Sequence, residues 1–164
     1  MEDYRIELAR RADAPRLASM SERWVEAGLR PAWGAVRILW HIRDAESVVL
    51  TARSGEFVAG FAIMRYGDER AHLNLLAVDP AHRRRGVARR LLTWLEESAL
   101  TAGTFTVGLE LRAHNGAARA FYGALGYQEG GEVPGYYQGV ESAIRLTRDV
   151  RASREAPGAR QPSP

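Results

Sequence analysis

The chain has no cysteine and no lysine, and all 23 of its basic residues are arginine. Without cysteine there can be no disulfide, thiolate nucleophile or zinc–thiolate site. Without lysine there can be no Schiff-base chemistry, so arginine side chains or backbone N–H groups must hold any bound phosphate. No apolar run approaches the roughly 18 residues of a membrane-spanning helix, and the charged N-terminus lacks the apolar core of a secretory signal. We therefore expect a cytoplasmic protein with no membrane partner.

The formal net charge is +3, and most of this excess lies near the C-terminus. From Arg148 onward there are four arginines and two carboxylates, whereas the first 147 residues hold 19 arginines and 18 carboxylates. A nucleic-acid-binding protein usually carries its positive excess on the folded body. The near balance of charge in the body argues against nucleic acid as a partner.

Length and composition predict one folded domain over residues 1–149 and a disordered C-terminal tail over residues 150–164. A chain of 164 residues is long enough to bury about two-thirds of its unfolded surface in a single domain. The tail is rich in Pro, Gly, Ala and Arg and has no apolar periodicity, which is typical of disorder.

Hydrophobic periodicity predicts a mixed α/β fold for the body. The predicted strands cover residues 4–9, 47–52, 56–66, 71–78, 104–111, 127–137 and 139–147. The predicted helices cover residues 14–29, 31–42, 86–100 and 115–125. This order of elements, β-α-α-β-β-β-α-β-α-β-β, predicts a central mixed sheet with helices on both faces.

Two features of the helices follow from local sequence. Asp13 and Asn115 stand where N-cap side chains are expected. In the second helix, apolar residues at helical spacing predict one buried face, and we expect Trp40 to lie in the core. The residues of that face are Trp33, Val36, Leu39 and Trp40.

A strand, a basic turn and a helix follow one another between residues 73 and 92. The apolar strand stops at Asp79-Pro80, and Gly86 opens the next helix. The N-terminus of a helix presents unpaired N–H groups and partial positive charge, so it can bind phosphate. The arginines of the turn would add counter-charge, although a solvated arginine run beside a helix is an equal alternative from the residues alone.

The residues Arg83-x-x-Gly86-x-Ala88, which follow "LLAVDP", resemble the coenzyme A signature of the GNAT superfamily of N-acetyltransferases. The segment "LELRAHNGAARAFYGALGY" is similar to one in the bacterial ribosomal-protein N-terminal alanine acetyltransferases, and Tyr136-Tyr137 followed by "ESAIRL" is similar to the end of those enzymes. The resemblance implies a GNAT-type α/β (α+β) fold with a mostly antiparallel sheet of about seven strands. It also implies acetyl-CoA as cosubstrate and direct acetyl transfer to an amine.

The resemblance further implies how the coenzyme would be held. The strand that carries Leu76 would separate from the next strand, and the coenzyme would enter the gap between them. Ala88 stands where many relatives have glycine, and Arg83 stands where several have glutamine, but neither change removes the backbone groups that bind phosphate. The implied coenzyme-binding residues are Leu76, Ala77, Val78, Arg83, Arg84, Arg85, Gly86, Val87, Ala88, Arg89 and Asn115.

By the same resemblance, Glu110 is the general base and Tyr122 the general acid. An amine attacks a thioester only when it is neutral, so a carboxylate must take its proton, and a phenol can then protonate the leaving thiolate. Taken singly, Glu110 could be a solvent-facing strand residue and Tyr122 a core residue. The four histidines show no metal-ligand spacing, so we expect no metal.

The acceptor amine is less closely defined by the sequence. An α-amine with a pKa near 8 is roughly a tenth neutral at neutral pH, against well under a thousandth for a lysine side chain. This favours a protein or peptide N-terminus, with Trp33, Tyr136 and Tyr137 as expected contacts. The alternatives are a small-molecule amine and a non-catalytic module that binds coenzyme A or nucleic acid. We expect a monomer or a homodimer.

Overall fold

The computed structural model of the protein describes residues 3–152 and confirms the predicted order of elements. A π-helical turn, Ser21–Val25, continues the first helix, and most of the predicted tail lies outside the described residues. The strands are β1 (Arg5–Leu8), β2 (Ser47–Ser54), β3 (Phe57–Tyr66), β4 (Arg70–Val78), β5 (Thr106–Arg112), β6 (Gln128–Tyr137) and β7 (Glu141–Asp149). The helices are α1 (Ala14–Met20), α2 (Ala35–Arg43), α3 (Val87–Thr101) and α4 (Gly116–Ala124).

All strands join one seven-stranded sheet in the order β1-β2-β3-β4-β5-β7-β6. Every neighbouring pair is antiparallel except β4 and β5, which are parallel. The predicted mixed and mostly antiparallel sheet is therefore confirmed.

The sheet has a separate apolar core on each face. On one face, α3 buries Val87, Leu91 and Leu95 against the strands. On the other face, Leu17 of α1 and Ile38 of α2 are fully buried against the sheet. Helices therefore cover both faces, as the alternation of strands and helices predicts.

A β-bulge at Asn74 changes the direction of the β4 side chains. Leu73 pairs with Met64 and Leu75 pairs with Ile63, which leaves Asn74 without an opposite residue on β3. Leu73 packs in the α3 core, whereas Leu75 packs in the α1–α2 core. A bulge re-aims the side chains that follow it, and here it does so just where β4 leaves β5.

The two parallel strands pair only over a short stretch and then separate. Their register partners are Arg70 with Thr106, Ala71 with Val107 and His72 with Gly108. Beyond that point β4 continues to Val78 and β5 continues to Arg112, with no further pairing between them in the described structure. The strand separation that the resemblance implied is present.

The first helix differs from the expectation at both ends. Within the described residues, Asp13 makes no capping bond to α1. Its carboxylate instead accepts from the backbone N–H of Arg10 at 2.7 Å and forms an ion pair with the buried side chain of Arg53. The α-helix ends at Met20 and gives way to the π-helical turn, so it is shorter than the predicted 14–29.

The face predicted for the second helix is only partly buried: Trp33 and Leu39 pack against the α1–α2 core, but Val36 and Trp40 do not. Val36 is 85% exposed and Trp40 is 53% exposed, so the core prediction for Trp40 is wrong. The fully buried stripe contains Ile38 and His41 instead. Because an α-helix has 3.6 residues per turn, positions 36 and 40 share one side and position 38 lies nearly opposite. Because His41 is polar, the pattern of hydrophobic residues does not indicate that its side of the helix is buried.

Candidate active site

A cavity of about 750 Å³ lies in the gap between β4 and β5. The end of β4, the following turn, the start of α3, the end of β5 and helix α4 all contribute to its wall. The predicted site residues that line it are Leu76, Ala77, Val78, Arg83, Arg84, Gly86, Val87, Ala88, Arg89, Glu110, Asn115, Tyr122 and Tyr137. The fold therefore places the coenzyme A signature and the downstream segment that carries Glu110 and Tyr122 around the same cavity.

The turn before α3 has a backbone suited to an anion. Arg84 and Gly86 both have left-handed backbone angles, with φ of 61° and 76°. A side chain built at Gly86 would meet nothing within 4 Å, so this backbone faces open space. Turns that alternate in handedness, followed by a helix N-terminus, point successive N–H groups towards one place and form concave anion sites.

The arginines of this turn do not all point the same way. Arg83, Arg84 and Arg89 line the cavity. The side chain of Arg83 also donates to the carbonyl of Val78 at 3.3 Å, which ties the turn to the end of β4. Arg85 is not among the lining residues of the described chain, and its guanidinium lies 3.4 Å from the Tyr4 hydroxyl.

The end of β4 offers a backbone edge to the cavity. Leu76 and Val78 pair with Ala62 and Gly60 of β3 on one side. On the other side β5 has already moved away, so it provides no strand partner there within the described residues. An open strand edge can bind an extended ligand through main-chain hydrogen bonds.

Helix α4 forms the opposite wall of the cavity. The side-chain oxygen of Asn115 accepts from the backbone N–H of Ala118 at 3.1 Å, so the predicted N-cap is confirmed. This cap fixes the start of α4 beside the end of β5. Tyr122, two turns further along α4, consequently lines the same cavity as Glu110.

Glu110 lies at the end of β5 within a polar cluster. Its Oε2 is 2.5 Å from Nε2 of His72, and its Oε1 is 3.7 Å from Nε of Arg145. The hydrogen bond with His72 lowers the pKa of the Glu110 carboxyl, burial opposes this shift, and Arg145 and Tyr136 reinforce it. The carboxylate is therefore ionised at neutral pH, the form in which it can accept a proton.

Tyr122 is buried in an aromatic cluster. Its ring lies edge-on to Phe121 at 5.0 Å and to Tyr127 at 5.3 Å between centroids. Burial raises the pKa of the Tyr122 phenol well above its ordinary value. The phenol therefore keeps its proton at neutral pH and can donate it to a developing anion.

The residues expected at the acceptor end are only partly gathered at the cavity. Tyr137 lines it, and burial raises the pKa of its phenol to about 12. Tyr136 is 43% exposed and hydrogen-bonds to Glu110. Trp33 is absent from the lining residues of the described chain, because it packs against His41 and beneath the guanidinium of Arg37, 3.7 Å away.

Sequence reasoning missed several residues of the site. His72 had been assigned no role, yet it contacts Glu110. The contact between His72 and Glu110 depends on the register of β4 against β5. The sequence of either strand alone does not predict that register. The other lining residues that were not predicted are Trp24, Val25, His82, Leu111, Arg112, Ala117, Ala118 and Phe121.

Residues 3–152 contain neither a metal-binding cluster nor a helix suited to a membrane. No group of three or more His, Cys, Asp or Glu residues there could hold a metal ion. None of the helices in that range is both long and apolar enough to cross a membrane.

The fold and the cavity together define a class of protein. It is an α/β protein whose sheet opens between two parallel strands, beside a left-handed turn and a helix N-terminus that can hold a phosphate-bearing ligand. Residues 13–127 match the Acetyltransferase (GNAT) family. The chain belongs to this family, and the resemblance noted in the sequence is confirmed.

Individual relatives agree with this assignment. The chain is 43% identical over 96 residues to the ribosomal protein bS18-alanine N-acetyltransferase of Salmonella typhimurium, across 57% of this chain and 65% of that protein. This match spans less than two thirds of the relative's length. The chain is also 34% identical over 132 residues to the N-alpha-acetyltransferase RimI of Mycobacterium tuberculosis, across 78% of this chain and 80% of that protein.

A solved structure extends the similarity to nearly the whole fold. The crystal structure of the ribosomal-protein-S18-alanine N-acetyltransferase from Escherichia coli superposes with a TM-score of 0.78 at 28% identity. The superposition covers 90% of this chain and 94% of that chain.

Proposed function

We propose that this protein is an acetyl-CoA-dependent N-acetyltransferase that acetylates the N-terminal α-amine of a protein or peptide. The observation that carries the proposal is that Glu110 and Tyr122 line the same cavity as the anion-binding turn at Gly86. Membership of the acetyltransferase family supports it. The names of the relatives, which describe alanine N-acetylation and N-alpha-acetylation, favour the α-amine as acceptor.

The cavity fits the parts of acetyl-CoA in order. The pyrophosphate would lie against the backbone of the turn at Gly86 and the N-terminus of α3, with Arg84 and Arg89 as counter-charge. The pantetheine amides would bond to the open edge of β4 at Leu76 to Val78. The thioester would then lie at the inner end of the gap, where Glu110 and Tyr122 face the cavity.

Transfer then needs one nucleophile and three proton movements. Glu110 takes a proton from the acceptor ammonium, and the neutral amine attacks the thioester carbonyl. The C–N bond forms, the C–S bond breaks, and the leaving thiolate takes the proton of the Tyr122 phenol. The second proton of the attacking nitrogen passes to the Tyr122 oxygen, which restores the phenol and leaves a neutral amide. Backbone N–H groups near Val78 would stabilise the oxyanion of the intermediate. We expect no acetyl-enzyme, because the chain has no cysteine and no serine or threonine lines the cavity of the described residues.

The acceptor would enter at the end of the cavity that carries Tyr136 and Tyr137. A small-molecule amine is the second candidate, because the segment "GLRPAWGAVRILW" (residues 28–40) does not closely match the alanine acetyltransferases. We propose further that the protein acts in the cytoplasm as a monomer or a homodimer. The single domain over residues 1–149 belongs to the same proposal, and Val150, the first residue of the predicted tail, is buried in the α3 core.

The decisive experiment measures thiol release from acetyl-CoA over a library of N-terminal peptides and small amines. We expect turnover with peptides that have a free α-amine and none with the same peptides blocked at that amine. Glu110→Gln should lower turnover at least about 100-fold with unchanged acetyl-CoA affinity. Glu97→Gln, on the exposed side of α3, is the matched control and should remain active. Turnover with small amines alone would overturn the choice of acceptor.

Coenzyme binding can be tested without any acceptor. Gly86→Glu places bulk and negative charge at a left-handed position against the phosphates, so calorimetry should show acetyl-CoA affinity reduced at least about 100-fold. Gly131→Glu is the control, because Gly131 is exposed with nothing within 4 Å. Unchanged binding by the Gly86 variant would place the coenzyme elsewhere.

A further inference from the structure

His72 stands at the point where the two parallel strands separate. It is the last residue of β4 that pairs with β5, and its partner is Gly108. Glu110 follows two positions later, on the same face of β5 as Gly108. The register therefore brings the imidazole of His72 against the Glu110 carboxylate, with Nε2 and Oε2 2.5 Å apart.

Other charged and titratable groups face this pair from the surrounding strands and from α2. Arg145 of β7 lies 3.7 Å from Glu110, which is further than His72. Tyr136 of β6 hydrogen-bonds to the same carboxylate, and Arg37 of α2 acts on Tyr136. Arg65, which is opposite His72 on β3, is held by the carboxylates of Asp44 and Glu46.

A carboxylate alone is a weak acceptor for the proton of an amine. With ordinary values of about 8 for an α-amine and about 4.3 for a glutamate, the transfer is unfavourable by a factor of about 5,000. With an imidazole of pKa about 6.5 as the final acceptor, the factor falls to about 30. The hydrogen bond with Glu110 raises the pKa of His72 and reduces the mismatch further.

We propose that His72 and Glu110 form a proton relay in which Glu110 receives the acceptor's proton and His72 stores it. The 2.5 Å hydrogen bond is the form in which the stored proton lies between Nε2 and Oε2. In the form that accepts a proton His72 is neutral, with hydrogen on Nδ1 and the lone pair of Nε2 towards Glu110. The ammonium gives one proton to Glu110, which passes it to Nε2. The products are a neutral amine, a carboxylate and an imidazolium, so the total charge is unchanged.

The relay resets through solvent. The side chain of His72 is 45% exposed, so the imidazolium can release its proton to water after transfer. His72 touches the acceptor only through Glu110, which makes it a positioning and proton-storing residue. The inference rests on the proposed acetyl transfer. It adds that the general base consists of two residues, Glu110 and His72.

Kinetics of His72→Gln test the relay. Glutamine can still donate a hydrogen bond to Glu110, but it cannot take up a proton. We expect kcat to fall about 10- to 100-fold, while the KM for the acceptor and the Kd for acetyl-CoA change less than about twofold. His114→Gln is the matched control, because His114 is 68% exposed and lies outside the cavity lining of the described chain.

The pH profile supplies a readout that a merely structural role would not move. In the wild type, kcat/KM should fall as the pH drops through the pKa of His72, because a protonated imidazole cannot accept. In His72→Gln this acid limb should move to lower pH, where Glu110 itself titrates. His72→Ala should recover part of its activity with added imidazole. Full kcat in His72→Gln with an unmoved acid limb overturns the relay.

A titration followed by NMR tests the pair without any turnover. The His72 ring signal can be assigned by its loss in His72→Gln. Its titration should give a pKa above the ordinary histidine value, and this pKa should be lower in Glu110→Gln. An unchanged His72 pKa in Glu110→Gln would overturn the pairing. If the wild type transfers no acetyl group to any amine, the proposed function fails. If the wild type is active and His72→Gln equals it, only the relay fails.

Discussion

The side chain of Gln138 is paired with the backbone of Arg30, a residue 108 positions away. Its Nε2 donates to the Arg30 carbonyl at 2.6 Å, and its Oε1 accepts from the Arg30 N–H at 3.1 Å. Gln138 has a left-handed backbone with φ of 57°, so the turn between β6 and β7 holds it in a strained geometry. This pair joins the turn that follows Tyr137, a residue that lines the cavity, to the segment before α2.

Gln138→Ala should release the β6–β7 turn from Arg30. We expect the KM for a peptide acceptor to rise about fivefold, because each encounter must now order the turn and its two tyrosines. The Kd for acetyl-CoA should stay the same, because Gln138 does not line the described cavity. Gln128→Ala, on an exposed part of β6, is the control. Equal KM values for both variants would show that the pair does not order the acceptor site.

Tyr122→Phe should remove the proton donor and leave the ring in place. Because the thiolate would then leave unprotonated, we expect kcat to fall about 100-fold with unchanged acetyl-CoA affinity. Tyr127→Phe is a matched control, since its buried ring lies 5.3 Å from that of Tyr122 and is not among the residues that line the cavity. Steady-state kinetics of both variants make the comparison. Full activity of Tyr122→Phe would exclude the phenol as general acid.

Glu96 of α3 and Arg148 of β7 form a buried ion pair, with exposed side-chain fractions of 4% and 6%. Arg148 also donates to the carbonyl of Ala152 at 2.7 Å. Glu96→Ala leaves the guanidinium buried without this partner, so the free energy of unfolding should fall by about 3–5 kcal/mol. Urea unfolding measures it.

The double variant Glu96→Leu with Arg148→Met should recover most of that loss, because an apolar pair carries no buried charge. The exposed pair of Asp149 and Arg151 supplies the control, and Asp149→Ala should unfold at the same urea concentration as the wild type. A double variant no more stable than Glu96→Ala would contradict the charge argument.

His41 should make the fold less stable in acid. Burial, and then the nearby Arg37, lowers the pKa of this imidazole below the unfolded value of about 6.5. Below that pH the unfolded chain binds the extra proton and the folded one resists it, so stability falls as the pH drops. His41→Asn removes this pH-dependent contribution of His41. The fall in Tm between pH 7.5 and pH 5.5 should therefore be smaller than in the wild type.

The comparison with His72 checks the sign of this effect. The pKa of His72 is raised in the folded protein, so its contribution to stability is present in acid and is lost as the pH rises. His72→Gln should therefore enlarge the same loss of Tm on acidification, whereas His41→Asn should reduce it. Identical slopes in thermal unfolding for the two variants would refute both assignments.

Much of the site could be predicted because its signals are local. The spacing of Gly86 after the arginine turn and the cap at Asn115 are properties of a few consecutive residues, since backbone handedness and capping act over one turn of chain. The position of Trp40 could not be predicted in this way. Its exposure depends on which side of α2 packs against the sheet. A hydrophobicity pattern does not predict that side, because the buried residue His41 is polar.

The sequence by itself determined the order of the elements, because that order depends on local periodicity. Its resemblance to the acetyltransferase family supplied the phosphate-type turn and the pairing of Glu110 and Tyr122 as candidate base and acid. Only the tertiary structure decided that β4 leaves β5 after His72 and that His72 therefore contacts Glu110. It also decided that Gln138 holds Arg30. Strand register and loop contacts join residues far apart in the chain, and their partners are selected by the packing of the whole sheet.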